Sequence, residues 1–479
     1  MFDVTRPLSL RTSVVAAVLS LVVVVTFALT LLGSDPVAAP AARLPLAERV
    51  PGAGLPATAA AVLPVTATDA PIPSSRKLQQ VLTPLIGASA LGRGVSVDVL
   101  DPVTGKHLLT AGGSAGQQTR TPASTAKLLT AAAALTALGP QTTLVTTTVT
   151  GANPGQVILV GGGDVLLAAG EGDPEAVNGR AGLGDLARQT ATALREQGRT
   201  SIQLLLDDRL FTGSTRGPGW ELSDVDEGFV APIQALEVDA GRVAPGHYAQ
   251  RSLDPAMRAA TSFTKELARR GIKVSGAVHR LTAAGAPTDA GAVLGQVQSA
   301  PVSSLVEYAL TESDNTVAET LGHLVAAAAG QPAGFAQAGP AVLAVLKQLG
   351  VPVDGAVLTD TSGLGDGSRV SPQALTAVLA LATDEDHPQL RAILSGLPVA
   401  AVSGTLAGRF SGANEAIASG VVRAKTGTLT GVSSLAGTVV DTDGRLLVFA
   451  AMADQVKSTV PARTALDRLA TTLATCGCR

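Results

Sequence analysis

Hydrophobic and polar residues follow three different patterns along this chain of 479 residues. Residues 13–33 form an uncharged and almost entirely apolar run. Residues 34–75 are rich in Pro and Ala and have no regular period. From Arg76 onward, apolar residues recur at helical spacing or in alternation, as they do in folded domains. The chain therefore divides into an N-terminal apolar segment, a spacer and a large folded part.

The folded part predicts helices and strands in a mixed order. "SRKLQQVLTPLIGASA" predicts a helix, and "GVSVDVLDPVTGKHLLTAG" predicts two strands joined by a turn over 101–106. "TPASTAKLLTAAAAL" predicts a buried helix with Thr121 as its N-cap, Pro122 as its first residue and Gly139-Pro140 as its end. Near the C-terminus, "VVRAKTGTLTGVSSLAGTVVDTDGRLLVFAAMAD" predicts antiparallel strands with a tight turn at "DTDG", and "PARTALDRLATTLA" a closing helix. The fold class is therefore α+β.

The middle of the chain alternates helices and strands. Three segments repeat one order, a helix, a glycine and a strand: "LREQGRTSIQLLL", "LARRGIKVSGAV" and "LKQLGVPVDGAVL". We interpret them as a recurring helix-to-strand connection and not as a sequence repeat.

The N-terminal apolar run has the length of a membrane span. Its apolar part is about 20 residues, longer than the roughly 7–15 of a signal-peptide core, and Arg6 and Arg11 precede it. Residues 1–33 are therefore interpreted as a signal anchor with its basic end inside, or alternatively as a cleaved signal peptide. Residues 34–75 are then an extended linker. We expect the folded part in the extracytoplasmic cell envelope, anchored to the plasma membrane, or secreted if the signal is cleaved.

Composition argues against several classes of partner. The formal net charge is −3 and no basic stripe interleaved with aromatic residues occurs, so nucleic acid is not an expected ligand. The two cysteines, Cys476 and Cys478, are too few for a metal site, and neither a metal nor a cofactor is predicted. Export permits a disulfide between them, but pairing with another chain and free thiols are equally compatible with the sequence.

Ser124 and Lys127 lie three residues apart at the start of the apolar helix, where their side chains can touch. Serine is a weak nucleophile until a base takes its proton, and lysine is such a base only if burial or a neighbouring cation destabilises its ammonium. Ser-x-x-Lys also occurs at 74–77 and 262–265, but only Ser124 and Lys127 begin a strongly apolar helix. The structural alternative is a surface lysine beside a capping hydroxyl.

Two further motifs carry similar chemistry. Ser313-Asp314-Asn315 falls at the predicted break between two helices, where a hydroxyl and an amide could relay a proton and hold a carbonyl. "KTGT" at 425–428 falls in a predicted strand, where glycine permits close approach of a ligand and the lysine and hydroxyls suit a carboxylate. Taken singly, they are also compatible with a helix cap and an edge-strand lysine. In this order and on these elements, the three motifs are those of penicillin-binding proteins and class A β-lactamases.

The chain resembles the D-alanyl-D-alanine carboxypeptidase/endopeptidase family called class C low-molecular-mass penicillin-binding proteins. "VGGGDVLL", "GPGWELSDVDEGFVAPIQALEVD" and "DTSGLGDGSRVSP" agree with it, and 189 residues separate Ser124 from Ser313, as in members with a domain inserted between the first two motifs. The resemblance implies a transpeptidase-like fold, an antiparallel sheet flanked by helices with an all-helical part. It implies a catalytic domain of 76–145 and 296–479 and one inserted domain, 146–295.

The resemblance also implies the reaction and its catalytic residues. Ser124 would attack the carbonyl of a D-Ala-D-Ala bond in a peptidoglycan stem peptide, giving an acyl-enzyme that water hydrolyses. β-Lactams would acylate the same serine. Lys127 would be the base, Ser313 would pass the proton to the leaving amine, and Lys425 would help to keep Lys127 deprotonated.

Substrate-binding residues follow from the same resemblance. Asn315 would bond the substrate's backbone amide, and Lys425, Thr426 and Thr428 would attract the terminal carboxylate. The backbone N–H groups of Ser124 and Thr428 would form the oxyanion hole. Asp314 is assigned only a structural role.

Recognition of the stem peptide's diamino acid rests on two further positions. Asp224 aligns with an acidic residue that, in the family, helps bind the free amino end, and Asp226 is a nearby alternative. Where relatives often have "SGLSR", this chain has "SGLGD", so Asp366 replaces an arginine that binds the diamino acid's carboxylate. Arg369 is the candidate substitute, and an amidated stem peptide is another way to accommodate the loss.

Three other functions fit parts of the sequence. A β-lactamase would need a route to fast deacylation, such as a general-base glutamate, and no residue can be assigned to it. A non-catalytic, membrane-tethered peptidoglycan-binding protein would not require all three motifs. A Ser-His-Asp hydrolase would require a histidine signature, which is not formed by His107, His247, His279, His323 or His387.

Overall fold

The computed structural model of the chain describes residues 69–112, 119–153, 155–282 and 291–479. The predicted signal anchor, 1–33, and the linker up to residue 68 lie outside these ranges. None of the helices in the described ranges is long and apolar enough to span a bilayer.

The secondary structure alternates along the chain. The described helices are α1 (Ser75–Ile86), α2 (Ala126–Ala137), α3 (Leu183–Glu196), α4 (Leu222–Asp226), α5 (Pro255–Arg269), α6 (Val302–Thr311), α7 (Asn315–Ala328), α8 (Phe335–Gln348), α9 (Pro372–Thr383), α10 (Ala392–Gly396) and α11 (Thr459–Thr475). The described strands are β1 (Gly94–Asp101), β2 (Lys106–Ala111), β3 (Thr143–Thr150), β4 (Gln156–Val160), β5 (Asp164–Leu167), β6 (Ser201–Asp207), β7 (Leu236–Val238), β8 (Lys273–Val274), β9 (His279–Arg280), β10 (Val293–Pro301), β11 (Arg423–Leu429), β12 (Val432–Val440) and β13 (Leu446–Asp454).

An antiparallel sheet unites the two ends of the folded part. Its strand order is β11-β12-β13-β1-β2, so the N-terminal hairpin extends the C-terminal strands. Alternating side chains point to opposite faces. Leu435 and Phe449 pack with α1 and α11 on one face, whereas Ala436 and Ala450 face the helical part on the other. Helices therefore bury both faces of this sheet, and the predicted strands, "DTDG" turn and closing helix are confirmed.

Helix α2 is the centre of the helical part. Every residue from Ala126 to Leu135 is buried, and α6, α7, α8 and α9 pack around the helix. A helix that is apolar on all sides fits this position, because it has no face that solvent must cover. The unusual member of this buried set is Lys127.

The start of α2 differs from the prediction. Thr121 does not cap it: Ala123–Thr125 form a 3₁₀ turn, and the α-helix begins only at Ala126. Ala123 has φ +47°, a left-handed conformation that a regular helix start would not contain. The predicted end is confirmed, since α2 stops at Ala137, before Gly139 with φ +85°.

A second sheet occupies the chain between α2 and α6. Its strand order is β10-β3-β4-β6-β8, with β9 also pairing to β6, and a separate parallel pair joins β5 to β7. β3 and β10 are antiparallel, with Thr143 opposite Pro301, so the chain leaves and re-enters the helical part at neighbouring points. Helices α3 and α5 pack on this sheet around a core that includes Phe263. The domain boundaries at 146 and 295 stay predictions.

The structure also decides two local expectations, the third helix–glycine–strand segment and the state of the two cysteines. Of the three helix–glycine–strand segments, the first two end in β6 and β8, but the third contributes only an isolated bridge, from its Val357 to Arg369. The third predicted strand is therefore wrong. Cys476 and Cys478 form a disulfide with each other, and the Cys478 carbonyl accepts from the Ser74 amide at 2.5 Å.

The first prediction concerns the buried ion pair that ties the "DTDG" turn to the end of β1. Arg445 donates three hydrogen bonds to Asp101 (2.7–3.1 Å), and both side chains are buried. Removing one partner of such a pair typically costs about 3–5 kcal/mol, because the other charge stays buried. We expect Arg445→Met to lower the free energy of unfolding by about 3 kcal/mol or more in denaturant titration.

The matched control is Arg188→Met. Arg188 pairs with Asp185, and the two side chains are 60% and 28% exposed. Exposed pairs contribute about 0–1 kcal/mol. Equal losses for the two variants would contradict the importance of burial.

Candidate active site

The three motifs converge on one place in the fold. Lys127 Nζ lies 3.0 Å from Ser124 Oγ, at the start of α2, and 2.5 Å from Asn315 Oδ1, at the start of α7. Lys425 Nζ, on β11, lies 2.8 Å from Ser313 Oγ. Ser124 and Ser313 are partly exposed, whereas both lysines are buried. The arrangement places two hydroxyls within reach of a ligand and an amine behind each of them.

Lys127 makes three hydrogen bonds, and none of the acceptors is a carboxylate. Besides Ser124 and Asn315, its ammonium donates to the Ser362 carbonyl at 2.9 Å. Burial lowers the pKa of Lys127 to about 8, although the negative charges of three acidic groups one layer away, Asp360, Glu319 and Asp314, oppose this shift. A lysine with this pKa exchanges its proton near neutral pH, as a general base must.

Two of those acids shape the loop that supplies the Ser362 carbonyl. Glu319 accepts from the Thr361 and Ser362 amides and from the Thr361 hydroxyl (2.7–3.1 Å). Asp360 accepts from the Gly363 and Gly365 amides at 2.8 and 2.6 Å. Burial, followed by the charge of Glu319, raises the pKa of Asp360 to about 7. The loop amides therefore face carboxylates, and the Ser362 carbonyl faces Lys127.

The second motif combines a helix cap with a strained backbone. Asp314 is the N-cap of α7 and accepts from the Val317 amide at 3.1 Å. Ser313 has φ +56°, a conformation that is uncommon for residues other than glycine. Asn315 donates from Nδ2 to the Phe229 carbonyl at 3.0 Å, which fixes its Oδ1 toward Lys127. The predicted helix break is confirmed, and the cap and the ligand-facing groups are adjacent residues.

The third motif lies on β11, at the edge of the central sheet. Lys425 is buried, and its pKa lies well below the usual value because of burial first, then the positive charges of Lys127 and Arg409. Thr426 Oγ1 donates to Thr405 Oγ1 at 2.8 Å. Arg463, from α11, donates to Thr428 Oγ1 at 3.4 Å. Hydroxyls and cations therefore line this strand.

The residues predicted for diamino-acid recognition lie in the short helix α4 and in the loop between α8 and α9. Asp224 is partly exposed in α4 and accepts from the Glu221 amide at 2.8 Å, while Asp226 accepts from Gln250 at 2.9 Å. Asp366 and Arg369 are both exposed.

Sequence reasoning missed several residues of the site. The Ser362 carbonyl accepts a hydrogen bond from Lys127, and Glu319 fixes the loop that carries it. Thr405 and Arg463 contact the hydroxyls of the third motif. One signal was available: Glu319 follows Asn315 by four residues and so shares its helix face. Across all residues that the structure describes, no cluster of three His, Cys, Asp or Glu side chains is arranged to hold a metal ion.

Comparison with known proteins identifies the family to which the three motifs point. A family model described as the D-Ala-D-Ala carboxypeptidase 3 (S13) family matches residues 80–252 and 244–475. Carboxypeptidase DacB of Mycolicibacterium smegmatis is 36% identical over 475 residues, 98% of each chain. A carboxypeptidase of Mycobacterium tuberculosis is 38% identical over 428 residues, 88% of this chain and 89% of that protein.

Among solved structures, penicillin binding protein 4 of Haemophilus influenzae superposes with a TM-score of 0.66 at 22% identity, covering 85% of this chain and all of that one. The mixed α/β fold is therefore that of penicillin-binding proteins. The family match spans nearly the whole folded part and confirms the resemblance deduced from the three motifs. The chain belongs to the D-Ala-D-Ala carboxypeptidase 3 (S13) family of serine peptidases.

Proposed function

We propose that this carboxypeptidase hydrolyses peptidoglycan stem peptides ending in D-Ala-D-Ala through an acyl-enzyme on Ser124. The observation that carries the proposal is the hydrogen bond from buried Lys127 to Ser124 Oγ. β-Lactams acylate the same serine. In support, a structure of the Haemophilus influenzae penicillin binding protein 4 was determined in complex with a β-lactam.

Acylation begins with proton transfer from Ser124 Oγ to neutral Lys127. The serine oxygen bonds to the carbonyl carbon of the penultimate D-Ala, and the C–N bond then breaks as the leaving amine receives a proton. Ser313, which is hydrogen-bonded to Lys425, is the hydroxyl placed to relay to the leaving amine the proton that Lys127 took from Ser124, so that Lys127 returns to its neutral form and Ser313 keeps its hydroxyl. Water then attacks the ester, and hydrolysis restores Ser124.

The terminal carboxylate of the substrate binds beside β11. Thr426 and Thr428 supply hydroxyls, and Arg463 supplies a positive charge at Thr428. Burial, followed by the positive charge of Lys127, holds the pKa of Lys425 well below its usual value. An arriving carboxylate offsets this repulsion and favours the charged form of Lys425, so substrate binding leaves Lys127 free to act as base. Asn315 holds the substrate's backbone amide.

The oxyanion hole is formed by the backbone N–H groups of Ser124 and Thr428. Gly427 supports this assignment, since an added Cβ there would lie 2.6 Å from the Pro122 carbonyl and 3.1 Å from Ala123 Cβ. Ser434, on the neighbouring strand, donates to the same Pro122 carbonyl at 2.6 Å. The strand and the 3₁₀ turn that carry the two N–H groups are thus in direct contact.

We also propose Asp224 as a ligand of the diamino acid's free amino end. The loop after α4 supports it, because Phe229 in that loop accepts the hydrogen bond from Asn315. Cleavage of cross-links, as an endopeptidase, requires the same groups and is a second activity of this site. The proposed location is the extracytoplasmic envelope, with residues 1–33 as the membrane anchor.

A β-lactamase is less well supported. Glu319 is the buried glutamate near Lys127, but its oxygens accept from Thr361 and Ser362 and so face the loop. It is not free to activate the water that fast deacylation would need.

The first test is the intact mass of the full chain after mixing with benzylpenicillin. We expect an adduct of one penicillin, absent from Ser124→Ala. Lys127→Ala should acylate about 10²–10⁴-fold more slowly, the usual contribution of a general base. An unmodified protein that destroys the antibiotic would identify a β-lactamase, and one that does neither would favour a binding protein.

The pH dependence of acylation reports the state of Lys127. Because the reactive form is neutral and its pKa is about 8, the second-order rate constant should rise about tenfold per pH unit below pH 8 and level off above it. Stopped-flow kinetics with benzylpenicillin, whose carboxylate stays ionised throughout, measures this directly. A flat profile across that range would exclude Lys127 as the base.

Gly427→Ala tests the contact between β11 and the 3₁₀ turn. The added methyl group must push the two segments apart, so we expect acylation to slow by about 10²-fold. Gly170→Ala is the control, since no atom lies within 4 Å of a Cβ at that position. Wild-type acylation by a folded Gly427→Ala protein would contradict the proposed oxyanion hole.

A further inference from the structure

A buried ion-pair cluster lies directly behind the second motif. Asp314 Oδ2 accepts from Arg242 Nη2 at 2.7 Å and lies 3.4 Å from Arg251 Nη2. The side chains of Asp314, Arg242 and Arg251 are 0%, 6% and 2% exposed. The two arginines, which we call the arginine pair, face each other across an antiparallel bridge in the segment between β7 and α5. This segment belongs to the chain between the first two motifs.

The arginine pair also holds the backbone around it. Arg251 donates to the Ala240 carbonyl at 2.6 Å and to the Gly228 carbonyl at 3.0 Å. Gly228 immediately precedes Phe229, whose carbonyl accepts from Asn315. Arg242 donates to Asp239 Oδ1 at 3.1 Å. The pair therefore connects Asp314 to the loop that orients Asn315.

The geometry at Ser313 requires an external support. Its φ of +56° is disfavoured for serine, so the neighbouring residues must be fixed for the conformation to persist. Asp314 is fixed twice, by the arginine pair and by the Val317 amide. Ser313 and Asn315, on either side of it, point to Lys425 and Lys127 respectively.

Charges around Asp314 link the cluster to the base. Burial disfavours its ionisation, but Arg251 and then Arg242 outweigh burial and hold the pKa of Asp314 below its usual value. Glu237 and Tyr308 also lie near, and burial raises the pKa of each. Burial lowers the pKa of Lys127, and the charge of Asp314, like those of Asp360 and Glu319, opposes this shift. The arginine pair thus offsets one of the three negative charges that act on Lys127. Lys425 is the other amine of the site, and burial, followed by the charges of Lys127 and Arg409, holds its pKa well below the usual value.

We propose that Arg242 and Arg251 are positioning residues for acylation, which hold Asp314 so that Ser313 and Asn315 keep their reactive orientation and offset its charge beside Lys127. This proposal rests on the proposed function. It gives the chain between the first two motifs a part in catalysis and gives Asp314 a role beyond capping α7.

The test compares acylation of the full chain by benzylpenicillin in four variants. Arg242→Met and Arg251→Met should each slow acylation by about 10- to 100-fold, as expected when catalytic groups are displaced. They should also move the midpoint of the pH profile to higher pH, because Asp314 is left with less compensation. Asp314→Asn should slow acylation but move the midpoint to lower pH, because a negative charge is lost. Arg242→Lys keeps the charge and should leave the midpoint in place.

Controls separate this role from simple destabilisation. Arg280→Met removes an arginine of β9, which also lies between the first two motifs but pairs with Asp254 and Asp208 and not with Asp314, and should leave the rate and midpoint unchanged. Active-site titration with radiolabelled penicillin corrects every rate for unfolded protein. Variants with a lowered melting temperature but wild-type rates and midpoints would overturn the proposal.

Two outcomes remain distinguishable from these. If wild-type protein is not acylated, the proposed function itself fails. If Arg242→Met does not fold, Asp314→Asn, which retains a capping side chain, and Arg242→Lys decide. A midpoint that Asp314→Asn leaves in place or raises, or that Arg242→Lys moves, would refute the charge role. An unchanged rate for Asp314→Asn would refute positioning.

Discussion

The constraint on which the site depends is that Lys127 must be buried without a carboxylate as its direct partner. Removing an ammonium from water costs several kcal/mol, and a carboxylate in contact would return that energy by holding the proton. The chain instead provides a hydroxyl, an amide and a backbone carbonyl, from Ser124, Asn315 and Ser362. Neutral acceptors satisfy the charged form without stabilising it enough to prevent deprotonation.

Each acceptor requires a different part of the fold. Ser124 needs α2 to be buried on all sides, which the surrounding helices provide. Ser362 needs a loop whose amides are drawn to Glu319 and Asp360, so that its carbonyl is left for the lysine. The acids that shape this loop also raise the pKa of Lys127, so the value of about 8 reflects burial opposed by the groups that make the burial possible.

The sequence predicted the parts of this site that depend on local patterns. Alternation, turn residues and helix breaks were enough to assign Lys425 to a strand and Ser313 to a break between helices. The 3₁₀ turn at Ala123 was not predictable, because contacts with Gly427 and Ser434, some 300 residues away, determine it. The strand expected after α8 is absent for a related reason. A strand forms only beside a partner strand, and the sequence of the segment does not show whether the fold provides one. Arg242 and Glu319 belong to none of the three motifs, and charged residues are usually exposed, so their burial could be recognised only from the fold.

The chain between the first two motifs makes direct contacts with buried groups of the catalytic part. Trp220 donates to Asp360 at 3.0 Å, Phe229 accepts from Asn315, and the arginine pair binds Asp314. Each contact satisfies a buried polar group of the catalytic part, and a buried group left unsatisfied costs about 1–3 kcal/mol, and more when it is charged. The segment therefore supplies part of the hydrogen bonding that Asp314, Asp360 and Asn315 require for their burial. The segment completes the layer of groups on which the orientation of Lys127 and its hydrogen-bond partners depends.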